Sequence, residues 1–448
     1  MDKKNQIDMT TGSIVGKQVR FIIPLFFTGM LQLLYNAVDV IIVGRFAGTT
    51  ALSAVGSTGS LTNLLINALI GLSVGTNVVM ATYFGSKDED SIQKTLHTSL
   101  LIAILAGLVL TIVGILVTPS LLVMMATPDD VIEQAIIYMR IIFLGMTFNL
   151  VYNFSAAILR ATGDTKRPLR YLGIAGIINV ILNLIFVVPL QMDVAGVALA
   201  TIISQGISVC LIIRCLLNSE GSLKLQWSKL YIHKEQAIKI IKVGLPAGLQ
   251  TTIFAFSNVL IQSSINSFGS VAMAGNAASA SLEGFLYTGI NCVQQSVITF
   301  AGQNKGAKQY DRIRKNLYCG YGIVVVIAVV MSTTFRIFGE QLIGLYTTDP
   351  EAIAIGINRL TIFCMIYFSC GLMDTTTGFL RGVGRSLGPM IITVIGVCGF
   401  RVIWIFGVFT QFRSLETLYV SYPISWSLCW IVLLVYYLRV TRNGFENR

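Results

Sequence analysis

The sequence predicts an all-α membrane protein with about twelve transmembrane helices. Apolar residues make up 54% of the 448 residues and charged residues 12%, with a mean hydropathy of +0.75, whereas about a quarter of the residues in soluble domains are charged. Apolar runs recur along the chain, and with their flanks they reach the roughly 20 residues that a helix needs to cross about 30 Å of hydrocarbon. The sequence lacks the short alternating segments of membrane β-barrels.

Each predicted span is placed on one of these runs. The spans are 18–43, 51–83, 95–118, 131–159, 168–190, 194–217, 236–266, 271–300, 314–336, 351–379, 388–411 and 415–439. The basic segment before the first span has no small-residue cleavage site, so we expect it to be retained rather than removed as a signal peptide.

The basic residues predict the topology. Most of the 32 Lys and Arg residues lie in alternate loops, so the positive-inside rule places both termini in the cytoplasm of a multi-pass protein of the cell (inner, cytoplasmic) membrane. The net charge of +11 is then explained by basic cytoplasmic loops that face the anionic lipids of the inner leaflet, rather than by nucleic-acid binding. The eight cysteines form no CxxC pair, so neither a disulfide framework nor a zinc site is expected.

The two halves of the sequence repeat each other. The pattern LRxxGxxxxP occurs at residues 159–168 and again at 380–389, and Pro24 corresponds to Pro246. An even number of spans in each half makes this a parallel repeat, whose lobes can rock to expose a shared cleft to alternate sides. The predicted organisation is a six-helix lobe at 1–217, a cytoplasmic linker at 218–235, and a second six-helix lobe with a short tail at 236–448.

Polar side chains recur at helical spacing inside the apolar spans. Because unpartnered polar groups in hydrocarbon cost several kcal/mol, such stripes indicate either a wet interior or interhelical hydrogen bonds, and both interpretations stay open for the amides. The residues expected to line a substrate cavity are Gln32, Tyr35, Asn36, Asn149, Asn153, Glu283, Tyr287 and Asp374. By contrast, the small residues of 71–77 are expected to pack closely, and Arg359 is expected to extend to the outer interface.

Asp39 is the leading candidate for a coupling residue. An acid within a membrane span is a functional candidate by default, and a partly dehydrated cleft disfavours its charged form. A cationic substrate and a proton or Na⁺ would then compete for the same carboxylate, which is the reciprocity that antiport requires. Enzyme and ATPase functions are not expected, because the sequence has neither an HExxH motif nor a complete phosphate loop, the nearest approach being GSIVGKQ at 12–18.

Several motifs together resemble the multidrug and toxic compound extrusion (MATE) family. They are LQLLYNAVDVIIVGRFAGTTALSAVG at 31–56, the doubled LRxxG with DTKRP at 164–168, INVILNLIFVV at 178–188 and GQNKGA at 302–307. The resemblance spans nearly the whole chain. It implies two six-helix lobes in a V shape and a cation-coupled antiporter that exports amphipathic, often cationic, compounds.

The resemblance also assigns roles to residues. It implies cation coupling at Asp39 with Asn179 and Asn183, and cavity roles for Gln32 and Tyr35. The sequence departs from the family where many members have an aspartate in place of Asn183, and where a sodium-coupled branch has a glutamate at the position of Phe254. A contribution from Glu283 and Asp374, with Na⁺ near Asp39 or Glu283, is therefore an alternative.

The expected partners follow from this interpretation. We expect a monomer that binds membrane lipid and small organic cations, needs H⁺ or Na⁺ as coupling ion, and has no other cofactor. The alternative function is a lipid-linked saccharide flippase of similar two-lobe architecture. Its anionic cargo would call for a basic cavity, whereas Arg401 is the candidate cation in the middle of a span, which favours cationic or neutral cargo.

Overall fold

The structure is a computed structural model that describes residues 6–125 and 127–442. A helix lies on each of the twelve predicted spans, and no strand occurs in the described residues, so the all-α membrane fold is confirmed. The α-helices are α1 (Ile14–Ile42), α2 (Gly48–Ser86), α3 (Glu89–Met124), α4 (Asp129–Leu144), α5 (Met146–Ala161), α6 (Lys166–Val187), α7 (Asp193–Leu217), α8 (Lys234–Asn266), α9 (Ser270–Gly306), α10 (Tyr310–Gly344), α11 (Pro350–Gly382), α12 (Leu387–Thr393), α13 (Phe400–Trp404) and α14 (Leu415–Arg442).

In the described residues, three π-helical segments interrupt the α-helical hydrogen bonding. Val43–Ala47 joins α1 to α2, while Val394–Gly399 and Ile405–Phe409 flank α13, so that Leu387–Phe409 forms one continuous span. Such segments often occur near functional positions. Here the first follows Asp39 by one turn, and the other two lie on either side of Arg401.

The number of spans differs slightly from the expected twelve. In the described part of the chain, ten helices are long and apolar enough to cross a membrane, or eleven if α4 and α5, which bend by 43° about Gly145, form one broken span. Helix α9 is long enough at 37 residues but is not apolar enough. Its Asn, Gln and Ser residues lower its mean hydropathy. Polar residues are tolerated in this helix because much of it is buried against other helices.

The repeated LRxxG motif forms the same turn in both halves. Gly163 and Gly384 have φ angles of 85° and 87°, and each donates its amide to the arginine carbonyl three residues earlier at 2.8 Å. This left-handed glycine ends α5 and α11 in the same way, since glycine adopts positive φ without steric cost. The repeat seen in the sequence is therefore a repeat of local structure.

The described helices divide into two compact units. The first comprises Met1–Asp8 and Ile23–Gly248, and the second comprises Met9–Ile22 and Leu249–Arg448. The first helix of each half passes from one unit to the other close to a proline. The boundary lies just before Pro24 in α1 and just after Pro246 in α8. The lobe and linker boundaries expected from the sequence stay a prediction.

Within the first unit, α2 and the start of α8 touch through glycines. A Cβ on Gly71 would collide with the backbone of Gly248, and one on Gly75 with the carbonyl oxygen of Ile240 and the backbone of Gly244. Glycine at these positions lets the two helix backbones approach directly. The expected close packing of 71–77 is confirmed for Gly71 and Gly75.

Candidate functional site

In the first unit, Asp39 and the amide pair of α6 form a short hydrogen-bonded chain. The Nδ2 of Asn183 donates to Oδ1 of Asp39 at 2.5 Å and to Oδ1 of Asn179 at 3.2 Å. Asn179 and Asn183 lie one helical turn apart and are buried, while Asp39 is partly buried. The hydroxyl of Thr201 on α7 donates to the carbonyl oxygen of Val197 at 3.0 Å and lies near the Asp39 carboxylate. We call these four residues the Asp39 cluster.

The Asp39 cluster contains a carboxylate but no basic side chain. Within residues 6–125 and 127–442, no Lys, Arg or His forms an ion pair with Asp39. Amide and hydroxyl groups can stabilise either the charged or the protonated acid by rearranging their hydrogen bonds. The arrangement can therefore accept a proton or a small cation without displacing a resident positive charge.

Tyr35 holds the same part of α1 against α6. Its hydroxyl donates towards the carbonyl oxygens of Leu172 at 3.4 Å and Gly173 at 3.3 Å, and a Cβ on Gly176 would overlap its ring. Gly176 thus makes room for the phenol, and Tyr35 fixes the face of α1 that carries Asp39 one turn further on.

The other predicted cavity residues of the first unit do not join the Asp39 cluster. Gln32 and Asn36 are exposed on α1. On α5, the Nδ2 of Asn153 donates to Oδ1 of Asn149 at 3.0 Å and to its backbone carbonyl at 2.9 Å. This pair bonds within its own helix, which is one of the ordinary uses of a polar side chain in a membrane helix.

In the second unit, the predicted residues Glu283, Tyr287 and Asp374 meet at one cavity of about 260 Å³. Two sides of the cavity are formed by α9 and α11, and it is closed by residues of α8, the α12–α13 span and α14. The remaining lining residues are Phe254, Asn258, Ala280, Gly284, Tyr367, Cys370, Met373, Val397, Arg401, Tyr422 and Trp426. We call this space the C-terminal cavity.

Glu283 is neutralised by an arginine. Its Oε2 accepts a hydrogen bond from Arg359 at 2.5 Å, and Tyr367 donates to Oε1 at 3.2 Å. Arg359 is 5% exposed, also donates to Ser279 at 3.0 Å, and stacks 4.3 Å from the ring centre of Phe363. The expectation that Arg359 extends to the outer interface is therefore wrong, because a buried carboxylate on α9 supplies its counter-charge.

Arg401 enters the same cavity from α13. Its guanidinium lies 3.9 Å from the centre of the Tyr422 ring and donates to Oδ1 of Asn258 at 3.2 Å and to Oγ of Ser425 at 3.4 Å. Arg401 is only 5% exposed. Neutral oxygens and an aromatic face thus hold this cation, where a carboxylate would be the usual partner of a buried arginine.

Asp374 is buried on α11, facing the same space. It is 5% exposed, and its backbone carbonyl accepts from Nε2 of Gln294 at 3.0 Å. Arg381, the positive charge that acts on it, directs its guanidinium to Oε1 of Gln250 at 2.7 Å. No side chain of the described residues donates a hydrogen bond to the Asp374 carboxylate.

Sequence reasoning did not place Arg359, Phe254 or Trp426 at this cavity. A signal for the arginine was present, since Arg359, Phe363, Tyr367, Cys370 and Asp374 follow one another at intervals of three or four residues on α11. Such spacing predicts one helix face, although the backbone at Ile366 is non-helical and kinks α11 between Phe363 and Tyr367. The wall residues come from helices far apart in the chain, and helical periodicity alone does not bring them together.

Comparison with known proteins places the chain in a family. The MatE family model matches it twice, at residues 24–185 and 246–406. The probable multidrug resistance protein YoeA of Bacillus subtilis is 28% identical over 93% of this chain and 92% of its own length. The FAD transporter of Shewanella oneidensis is 22% identical over 82% of each chain.

A solved structure shows the same fold. A MOP superfamily transporter from Pyrococcus furiosus aligns with a TM-score of 0.91 over 98% of each chain, at 21% identity. With the two family matches, which together cover most of both halves, this similarity agrees with the helical membrane fold described above. The chain belongs to the MatE family and is a multi-pass membrane transporter of small molecules, not an enzyme.

Proposed function

We propose that this chain is a cation-coupled antiporter that exports amphipathic, cationic organic compounds, with Asp39 as its coupling residue and H⁺ or Na⁺ as the coupling ion. The observation that carries the proposal is the Asp39 cluster, in which a partly buried acid has a hydrogen-bonding amide neighbour but no basic partner among the residues that the structure describes. Relatives named as multidrug resistance and multidrug export proteins support the export of drugs.

Coupling follows from competition at the carboxylate. A proton or Na⁺ neutralises Asp39, whereas an organic cation is attracted to its charged form, so occupancy by one weakens occupancy by the other. The membrane potential contributes about 2.3 kcal/mol per charge per 100 mV to such an exchange. The amide of Asn183, 2.5 Å from the carboxylate, would stabilise the empty, charged state between the two binding events.

The role expected for Asn179 and Asn183 is to position the carboxylate. Asn183 bonds to both Asp39 and Asn179, so removing its amide would free the acid to take another rotamer. Gln32, Tyr35, Asn36, Asn149 and Asn153 on the first unit, with Glu283, Tyr287 and Asp374 on the second, remain the proposed substrate-cavity residues. Cell-membrane localisation, a monomeric state and cytoplasmic termini are parts of the same proposal.

The test is transport by the purified protein in liposomes. A pH gradient and a sodium gradient are imposed separately, and efflux of a fluorescent organic cation is followed. We expect one of the two gradients to drive efflux, and Asp39→Asn to abolish the dependence on it, because the amide neither binds nor releases a proton and carries no charge for Na⁺.

Asp90→Asn is the matched control. Asp90 is also an aspartate on a long helix, but its side chain is 72% exposed and pairs with Lys94 on the surface, so its replacement should leave gradient-driven efflux intact. Undiminished, gradient-dependent efflux by a correctly folded Asp39→Asn protein would contradict the assignment of the coupling residue.

A second candidate function has one observation in its favour. Two arginines, Arg359 and Arg401, are buried at or beside the C-terminal cavity, which is more positive charge than the sequence indicated. This favours anionic cargo such as a lipid-linked saccharide, and a relative named an FAD transporter indicates that cargo varies in the family. Glu283 neutralises Arg359, however. Coupling to neither gradient in the liposome test would favour the flippase.

A further inference from the structure

A groove between α10 and α11 of the second unit lies apart from the site described above. It holds a cavity of about 360 Å³ between the C-terminal end of α10 and the second to fourth turns of α11. Arg336 and Glu340 line it on the side of α10, and Leu360 and Met365 line it on the side of α11. We call it the α10–α11 groove. It shares no lining residue with the C-terminal cavity.

Two opposite charges stand side by side in this groove. Arg336 and Glu340 lie one helical turn apart on α10, and both are exposed. Side chains at this spacing have Cβ atoms about 5–6 Å apart and can pair, yet neither residue takes part in an ion pair within the described part of the chain. The groove therefore offers one positive and one negative group to a ligand.

The surroundings of these charges indicate a membrane interface. Arg336 ends the span predicted at 314–336, and the next two residues, Ile337 and Phe338, are apolar side chains that are 62% and 51% exposed. Exposed apolar side chains beside charged ones are typical of contact with lipid at headgroup depth. A ligand of the groove is therefore expected among the lipids themselves.

An apolar cavity adjoins the groove. Met365, which is 69% exposed, lines both the groove and a second cavity of about 420 Å³ between α11 and α14. The second cavity is lined by apolar residues such as Ile362, Ile366 and Leu428, and Ser427 contributes its one hydroxyl. A polar recess next to an apolar one matches an amphiphile, whose acyl chain gains affinity with each CH₂ group that it buries.

We infer that the α10–α11 groove is a binding site for a phospholipid with a primary-amine headgroup, of the phosphatidylethanolamine class. Arg336 binds the phosphate, Glu340 accepts hydrogen bonds from the ammonium group, and an acyl chain lies past Met365 in the apolar cavity. The site is separate from the path of the exported compound. The inference goes beyond the proposed function and does not depend on it.

Charge complementarity selects this headgroup among the common ones. Arginine binds phosphate through parallel, charge-assisted hydrogen bonds, which all phospholipids allow. A choline headgroup has no N–H to donate to Glu340, and a glycerol headgroup has no positive charge for it. An ammonium group supplies both, so it satisfies the carboxylate that the other two headgroups leave without a partner.

The test counts the lipids that bind to the purified protein. The protein in detergent micelles is titrated with phosphatidylethanolamine, phosphatidylcholine or phosphatidylglycerol of the same acyl chains, and native mass spectrometry gives the affinity of the first bound lipid. We expect phosphatidylethanolamine to bind about fivefold more tightly than the other two, the upper range of an exposed ion pair. Water-soluble glycerophosphoethanolamine, which lacks acyl chains, should not displace it.

Two charge variants separate the headgroup contacts. Arg336→Gln should weaken binding of all three lipids by about fivefold, because each has a phosphate. Glu340→Gln should remove the preference for phosphatidylethanolamine and leave the affinity for phosphatidylcholine unchanged. Arg413→Gln is the matched control, because this exposed arginine donates to Ser267 and lies outside the lining of the groove.

A third variant blocks the groove. Gly339 is a lining residue, and a Cβ on it would meet no atom within 4 Å, so Gly339→Leu should project into the empty space and abolish the tightest binding event. Gly322→Leu is its control. Gly322 is also a glycine of α10 with no atom within 4 Å of an added Cβ, but it lies outside the lining.

Three results would overturn the inference. The first is equal affinity of the unchanged protein for the three lipids, a measurement that does not depend on any variant folding. The second is unchanged binding of the first phosphatidylethanolamine to both Arg336→Gln and Gly339→Leu. The third is displacement of the lipid by glycerophosphoethanolamine, which would assign the groove to a soluble phosphoethanolamine compound instead of a lipid.

Discussion

The contact between α2 and α8 allows a stability prediction to be worked from geometry. At Gly75, an added methyl group would meet the carbonyl oxygen of Ile240 and the backbone of Gly244. No flexible side chain lies in the way that could rotate aside, so the two helices themselves would have to separate. We therefore choose Gly75→Ala as the perturbation.

The magnitude follows from two opposing effects. Overpacking costs about 1–3 kcal/mol, and a collision with backbone belongs at the upper end, about 3 kcal/mol. Alanine is the better helix former by about 1 kcal/mol. The free energy of unfolding of the first unit should thus fall by about 2 kcal/mol, and Gly71→Ala, which meets the backbone of Gly248, should behave in the same way.

Gly56→Ala, in the same helix, isolates the collision. A Cβ at Gly56 would meet no atom within 4 Å, so this substitution should leave stability unchanged or raise it by up to about 1 kcal/mol. The assay is thermal denaturation in detergent, followed by size-exclusion chromatography of heated samples. Equal midpoints for Gly75→Ala and Gly56→Ala would refute the close helix contact.

Two further predictions concern charges. Arg359→Met should destabilise the protein by about 3 kcal/mol because it leaves Glu283 as an uncompensated, largely buried charge, and the added change Glu283→Gln should recover most of the loss in the same thermal assay. Hydrogen bonds from Ser91 hold the pKa of Asp88, the N-cap of α3, below its usual range. The contribution of this cap to the stability of the protein is therefore complete above the ordinary carboxyl pKa, and it is lost as pH falls through the lowered pKa. Asp88→Ala should lower the free energy of unfolding by about 1 kcal/mol at neutral pH and by progressively less in acid. A stability difference from the unchanged protein that stays constant from neutral pH to below about pH 4 would contradict this assignment.

The sequence predicted the parts of the structure that depend on neighbouring residues. Apolar runs predicted where the helices lie, and the doubled LRxxG predicted that the two halves repeat; in the structure, its two glycines form the same positive-φ turn. Asp39 was expected near Asn179 and Asn183 from the family resemblance, and the three side chains form one hydrogen-bonded chain.

What could not be predicted depends on residues far apart in the chain. The ion pair of Glu283 with Arg359 joins α9 to α11, and the stacking of Arg401 on Tyr422 joins α13 to α14. Periodicity indicates which face of a helix is polar but not which other helix it meets. The side chain of Asn153, for example, hydrogen-bonds to Asn149 within its own helix and meets no other helix through this contact.

The point at which α1 and α8 change unit affects any attempt to divide the protein. A cut in the loop between α7 and α8 would give an N-terminal fragment that includes Met9–Ile22, although this segment belongs to the second unit. The C-terminal fragment would include the part of α8 up to Gly248, which belongs to the first unit. Each fragment would therefore lack a helical portion that its own unit needs and would expose an unmatched surface. Co-expressed halves would have to exchange these portions before either could reach its native state.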